Sequence, residues 1–382
     1  MSLHSVGVFG TSRKKQEKRV PIHPGQLDWI DGKIKKHLFF EEGYGLPFGM
    51  SDAQLAKESG GVLSRTDLFQ RCDTALLAKP VQEDFDDMKE GTIHWGWPHC
   101  VQQRGITQTA IDRKLTLIAW EAMHRWSKHG DWQMHIFQNN NEIAGYAGVH
   151  HAMNLVGIDG NYGPNRKAVV ISFGSVSRGA VRALQKRGIQ DITVFTQRHY
   201  FLVADQMAGV NYGQFDEDEE GNLISLHPDH KPRPFVEELM DVDIIVNGML
   251  QDTDHPIMLV PEDQNDRLKP GCLIVDVSCD EGMGFSFAKP TNFEIPIFKV
   301  GEVYYYAVDH TPSYLWNAAT WEISNSLIPY LPIIMGGPEK WEGSETIQRA
   351  IEIKDGIIQN PKITSFQNRS SEYPHKELST ES

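Results

Sequence analysis

Disulfide scaffolds, zinc sites, membrane spans and nucleic-acid binding are all disfavoured by what this chain lacks. There are only four cysteines in 382 residues, Cys72, Cys100, Cys272 and Cys279. None forms a C-x-x-C pair or has a histidine partner at metal spacing, so reduced core thiols are expected. Positive charge is also scarce: the formal net charge is -14, which disfavours nucleic acid and anionic membranes as partners. The single dense basic segment is 12–19. No apolar run approaches the roughly 18 residues of a membrane span. The N-terminus lacks the hydrophobic core of a signal peptide, so a cytoplasmic protein is expected. Histidine is plentiful at sixteen, yet the pair His150-His151 would point to different faces of a helix and cannot chelate one ion together. No metal is expected.

What is present points to an α/β enzyme. A length of 382 residues and 40% hydrophobic content suit two cores, because single cores stop growing near about 250–300 residues. The run Lys167-Ala168-Val169-Val170-Ile171-Ser172-Phe173 reads as a buried parallel strand, and Gly174-Ser175-Val176-Ser177-Arg178-Gly179-Ala180 as the turn into a helix. Gly174 and Gly179 occupy the first and third positions of G-x-G-x-x-G, the first for the tight turn and the last for close helix-to-strand packing. Val176 takes the middle position. Helical amides exposed at such a turn attract a pyrophosphate.

A helix over 180–187, closed by Gly188, leads to a second strand at 190–195, the spacing of a βαβ unit. NAD-specific proteins usually end that strand in a carboxylate for the ribose hydroxyls. Here it ends Thr196-Gln197-Arg198-His199, and Arg198 offers a planar fork for a 2'-phosphate. NADP(H) is therefore expected, held by residues 174–179 with Thr196 and Arg198. Asn247 and Gly248 join them from the end of the strand at 242–248, because ligands of open α/β sheets sit beyond the carboxyl edge.

Elsewhere, strands are expected at 6–9, 37–40, 74–78, 115–120 and 272–277, with helices at 24–29, 52–59 and 142–155, the last with a Gly-rich face. This alternation implies parallel sheets with helical crossovers. Residues 216–234 read as an exposed insertion and Tyr304-Tyr305-Tyr306 as packing. From Ser313 a helical pattern through Leu315, Ala319, Ile323, Leu327 and Leu331 returns to the first domain. The expectation is thus two Rossmann-like domains with a cleft between them, the second inserted in the first: 1–138 with 315–364 for substrate, 139–314 for NADP, and a disordered polar tail at 365–382.

Five short motifs in order then carry a family resemblance. Glu17-Lys18-Arg19-Val20-Pro21-Ile22-His23-Pro24 resembles the E-x-R-V-x-x-x-P opening of the alanine dehydrogenase and pyridine nucleotide transhydrogenase superfamily, and Ala78-Lys79-Pro80 its strand-end lysine. His99 in Trp97-Pro98-His99-Cys100 falls where that family has an acid/base histidine. The stretches 274–282 and 307–313 resemble two of its active-site loops. The chain departs from the alanine dehydrogenase pattern at Val176, Thr196 and Asp309-His310-Thr311-Pro312. It is more similar to carboxyethylornithine synthases at 174–180, and to lysine-forming saccharopine dehydrogenases at Val275-Asp276-Val277-Ser278 and 309–313.

The resemblance implies reductive condensation of a basic amino acid, ornithine or lysine, with a small 2-oxo acid such as pyruvate, in a possible homo-oligomer. Such a reaction needs a cation for the oxo-acid carboxylate, a base for the amine and an acid for the departing hydroxyl. Arg19 suits the first as a bidentate clamp, Lys79 the second, or else the binding of the substrate oxygen, and His99 the third. Glu121, Asp280 and Asp309 are candidates to tune these groups or receive the substrate ammonium. Glu17, Lys14 and His310 lie beside the motifs, with nearby charge as their only credential. Two further readings stay open: an amino-acid dehydrogenase using ammonia, of alanine or saccharopine dehydrogenase type, and a non-catalytic NADP(H) sensor.

Overall fold

A computed structural model describes residues 3–10, 12–227, 231–251 and 255–378. The chain forms two compact units, residues 1–138 with 316–382 and residues 139–315, the second inserted in the first.

In the first unit six parallel strands are ordered Gly61–Leu63, Leu38–Glu41, Val6–Val8, Thr74–Leu76, Ile93–Gly96, Thr116–Ala119. This is the 3-2-1-4-5-6 arrangement of a doubly wound sheet. The antiparallel strands Ile351–Lys354 and Ile357–Ile358 extend it beyond Thr116–Ala119. Side chains alternate between two buried faces, which is why the strands read as continuous apolar runs. Leu76 and Ile118 join the core that also takes Ile323, Leu327 and Leu331 from the returning helices. Ala75, Leu77 and Leu117 join the other, with Phe69, Ile353 and Ile363.

The inserted unit repeats the scheme. Its parallel strands are ordered Asn211–Glu217, Asp191–Thr196, Lys167–Ile171, Ile244–Asn247, Leu273–Asp276, Val303–Tyr306, and Ile297–Val300 pairs antiparallel with the last of these. Val169 and Ile171 face one core, Ala168 and Val170 the other. The helix Gln138–Val156 begins before the expected 142 and packs backbone to backbone on the helix Ser175–Lys186. A Cβ on Gly179 would sit 1.8 Å from Glu142 O, and one on Gly145 would sit 1.9 Å from Val176 O. The third fingerprint glycine thus admits a neighbouring helix rather than the strand.

Two expectations need correction. The stretch 216–234, read as an irregular insertion, belongs to an antiparallel extension of the sheet edge: Asn211–Glu217 pairs with Leu223–Leu226, which pairs with Arg233–Pro234. Its strands are short and half exposed, so no hydrophobic alternation marked them. The tail from 365, expected to be disordered, is tied into the fold by hydrogen bonds as far as 378, where the Leu378 amide donates to Asn368 O at 2.8 Å. Gln367, Arg369 and His375 are 0%, 4% and 2% exposed, held by hydrogen bonds that a composition count does not register. Residues 379–382 lie outside the described residues.

Candidate active site

In the first unit the chemistry gathers at the carboxyl edge of the sheet, where the strand order reverses at Val6–Val8 and Thr74–Leu76. The strand Thr74–Leu76 runs on through Leu77 and Ala78 to Lys79. Ile93–Gly96 runs on to Trp97 and His99, and Thr116–Ala119 enters the 3-10 turn Trp120–Ala122, which carries Glu121. The loop after Val6–Val8 brings Glu17 and Arg19 to the same edge. It is tied down where Ser12 Oγ donates to Lys79 O at 2.9 Å.

Lys79 Nζ lies 2.7 Å from His99 Nε2. The other ring nitrogen of His99, Nδ1, is 3.6 Å from Glu121 Oε1, and the His99 amide donates to that same oxygen at 2.9 Å. His99 itself adopts a left-handed φ of 47°, a conformation that non-glycine residues hold only when surrounding contacts over-determine it. Those contacts are Glu121 on its amide and, on its carbonyl, the amides of Gln102 and Gln103 at 3.1 and 3.0 Å.

Burial, then the charges of Arg19 and Lys14, push Lys79 down to about 8. Burial pushes Glu121 up to about 7, and Glu352 adds to the shift. Glu121 Oε2 is buried with no hydrogen-bond partner among the described residues, a setting that disfavours the ionised form. Two proton-exchanging groups near neutrality thus flank an imidazole, an arrangement able to relay a proton.

Arg19, expected as a bidentate clamp, already carries a carboxylate partner. It is 5% exposed, and its Nε and Nη2 donate to Glu17 Oε1 and Oε2 at 2.8 and 2.7 Å. Glu17 takes up one edge of the fork, because a buried guanidinium without a carboxylate would be costly. The guanidinium stands 5.1 Å and the Lys79 ammonium 5.4 Å from the centroid of Trp97, whose π face attracts cations. Trp97 is braced by Trp120 and Phe137 at centroid distances of 4.7 and 5.3 Å.

In the inserted unit, Ser172 turns the chain with φ 76° between the strand Lys167–Ile171 and the helix Ser175–Lys186. Gly174 caps that helix with no side-chain hydrogen bond, and a Cβ placed on it would meet nothing within 4 Å. The amides of Ser175, Val176 and Ser177, in the first turn, have no acceptor within the helix. These residues fit an anionic pyrophosphate. Ser177 is buried, its Oγ donating to Ile171 O at 3.2 Å, and Gly248 leaves room for it, since a Cβ there would lie 2.5 Å from Ser177 Oγ. Thr196 Oγ1 accepts the Arg198 amide at 3.2 Å, and Arg198 is exposed beyond the strand tip.

Two of the expected coenzyme residues also make structural contacts. Arg178 stacks 4.2 Å from the centroid of Phe173 and donates to Asp205 O and Ala204 O, both at 2.8 Å, so it straps the following loop. Asn247 is 1% exposed and spends its amide on Asp276 Oδ1 at 3.1 Å and Met249 N at 3.2 Å. Asp276 also accepts from Cys279 N and Tyr305 OH, at 3.0 and 2.7 Å, and burial raises it to about 6. Asp280 is exposed nearby on the following loop. Asp309 pairs with His310 Nδ1. The second His310 nitrogen, Nε2, is buried with no partner among the described residues.

The structure therefore gathers Arg19, Lys79, His99 and Glu121 in one unit, with Asp280, Asp309 and the coenzyme candidates in the other. Sequence reasoning undervalued Glu17 and His310 and passed over Trp97 and Asp276 as functional groups. Their signal was only adjacency to a motif, which does not say which carboxylate is buried.

Comparison with known proteins agrees with this architecture. The alanine dehydrogenase/PNT N-terminal domain matches residues 11–144, and the alanine dehydrogenase/PNT C-terminal domain matches residues 169–361. The chain is 27% identical over 324 residues to an N(5)-(carboxyethyl)ornithine synthase of Clostridium botulinum, covering 81% of this chain and 88% of that one. It is 22% identical over 334 residues to an alanine dehydrogenase of Mycolicibacterium smegmatis, covering 84% and 85%. Among solved structures, an L-alanine dehydrogenase superposes with a TM-score of 0.75 at 19% identity, over 95% of this chain and 98% of that one. A transhydrogenase from Sinorhizobium meliloti superposes with a TM-score of 0.70 at 17% identity, over 93% and 99%. The chain belongs to the alanine dehydrogenase/PNT family, whose pyridine-nucleotide-binding dehydrogenases are oxidoreductases acting on CH-NH donors.

Proposed function

We propose that this protein is an NADPH-dependent opine-type dehydrogenase, joining the amine of ornithine or lysine to a small 2-oxo acid such as pyruvate. The observation that carries the reading is the 2.7 Å contact between Lys79 Nζ and His99 Nε2 with Glu121 on the opposite ring nitrogen. The similarity to N(5)-(carboxyethyl)ornithine synthases supports this amine and oxo-acid pair over ammonia.

Lys79, lowered to about 8, releases its proton readily enough to accept one from the incoming ammonium and free the nucleophile. The carbinolamine so formed must lose its hydroxyl as water. His99 donates that proton and is recharged through Lys79 and Glu121. Arg19, held against Trp97 by Glu17, supplies positive field for the oxo-acid carboxylate. A reduced pyridine nucleotide, when bound, supplies the hydride for the imine carbon. The amides of Ser175, Val176 and Ser177 would hold its pyrophosphate and Arg198 the 2'-phosphate, and Asp280 and Asp309 are the carboxylates of the inserted unit suited to an ammonium.

NADPH oxidation measured with pyruvate and ornithine, lysine or ammonia tests the reading. Consumption with a diamine acid and none with ammonia is expected. Consumption with ammonia alone would make the protein a simple amino-acid dehydrogenase, and coenzyme binding without oxidation would make it a sensor.

A further inference from the structure

The last stretch of chain is bonded to the backbone turn that carries His99. Gln367 ends the helix Pro361–Gln367 and is fully buried. Its Nε2 donates to Cys100 O at 2.7 Å and Val101 O at 3.0 Å, the two carbonyls that follow His99. Thr107 Oγ1 donates to the same Cys100 O at 2.7 Å. Gln367 Oε1 accepts from Arg369 Nε at 2.7 Å, which fixes the amide's orientation.

Arg369 is in turn fixed. Its Nη1 donates to Gln108 Oε1 at 2.7 Å and to His375 O at 3.2 Å. His375 accepts the Ile358 amide on Nε2 at 3.1 Å and donates from Nδ1 to Ser370 O at 3.0 Å. Three polar side chains, Gln367, Arg369 and His375, are thus buried and paired to one another, to their neighbours and to the turn, the condition under which buried polar networks rigidify what they touch. This network ends on the two carbonyls that directly follow His99, the residue of left-handed φ whose ring lies on Lys79.

We propose that Gln367, oriented by Arg369, is a positioning residue for His99: by clamping the carbonyls of Cys100 and Val101 it holds the left-handed turn that aims the imidazole at Lys79. This rests on the reading of His99 as the proton donor.

Gln367→Met keeps the length and removes the donors and the acceptor. In the full-length protein kcat should fall roughly tenfold or more, with KM for both substrates within about threefold, because a misplaced proton donor costs rate rather than binding. In the substrate-free protein the NMR titration midpoint of His99, assigned against His99→Gln, should move by more than about 0.3 pH unit as its neighbours shift. Ile363→Val, in the same helix, loosens packing without touching these hydrogen bonds and should leave both readouts unchanged.

Wild-type kcat and an unmoved midpoint in Gln367→Met would overturn the assignment, and so would an equal loss in Ile363→Val. Should Gln367→Met not fold, Thr107→Val removes the other donor to the Cys100 carbonyl and carries the same expected and overturning results. The titration needs no substrate, so it separates the two readings. A moved midpoint in a protein inactive with every amine defeats the reaction and spares the clasp, whereas activity with an unmoved midpoint does the reverse.

Discussion

Lys79 Nζ and His99 Nε2 stand 2.7 Å apart in a setting that makes the protonated lysine expensive. Lys79 titrates near 8 when folded, against 10.5 ordinarily. Between those values the unfolded chain holds a proton that the folded one has released, so stability rises with pH across that window. Below pH 8 the whole penalty of burying the ammonium is present. Lys79→Met should therefore raise the Tm at pH 7, with the gain shrinking toward pH 10.5, while turnover drops by about 10²–10⁴-fold. Thermal unfolding at several pH values checks this, and a Tm at pH 7 below that of the unaltered protein would refute the account.

The Glu17 to Arg19 pair behaves as a buried ion pair, with side-chain exposures of 0% and 3%. Glu17→Ala removes the buried carboxylate bonded to the Arg19 guanidinium and should destabilise the protein by about 3–5 kcal/mol in urea unfolding, the cost of breaking a buried ion pair from one side. A loss within the few tenths of a kcal/mol typical of exposed pairs would mean that the pair is solvated.

Two fingerprint glycines should answer differently to alanine. Gly179→Ala places a methyl 1.8 Å from Glu142 O and should cost about 1–3 kcal/mol or more as the helices are forced apart. Gly174→Ala meets open space at φ -79°. It should leave stability nearly intact while weakening coenzyme binding by calorimetry, since the methyl projects where the pyrophosphate would lie. Equal stability losses in the two would contradict the assignment of distinct roles.

Arg198 is exposed at the end of Asp191–Thr196 with no carboxylate at the strand tip. Arg198→Ala should weaken NADPH by roughly tenfold or more, the worth of one charge-assisted hydrogen bond, and leave NADH unaffected. Parallel loss of both affinities would remove the 2'-phosphate assignment.

Strands such as Thr74–Leu76, Thr116–Ala119 and Lys167–Ile171 were legible in the sequence because both of their faces are buried, and a buried strand reads as an unbroken apolar run. The helix Trp316–Leu327 was legible by the spacing of Ala319, Ile323 and Leu327. Gly61–Leu63 and Leu223–Leu226 went unread, being short, at or near sheet edges and half exposed. Lys79 and Glu121 were found because each directly follows a readable strand, whereas His99 was found only through the resemblance at Trp97-Pro98-His99-Cys100, since the buried strand before it, Ile93–Gly96, also went unread. The pairing of Arg19 with Glu17 and the structural contacts of Arg178 and Asn247 were not found, because donor count says nothing of which acceptor lies within reach.

Local sequence determined the strand and helix alternation, the helix N-terminus at Gly174 and the order of the chemically able residues, all properties of spacing and side-chain type along the chain. Only the tertiary structure decided which charges are buried, and so the lowered Lys79 and raised Glu121 titrations. It also decided that a polar C-terminal segment closes onto the turn of His99. Desolvation and hydrogen-bond geometry depend on neighbours more than two hundred residues away, as Gln367 is from Cys100, and no local pattern encodes them.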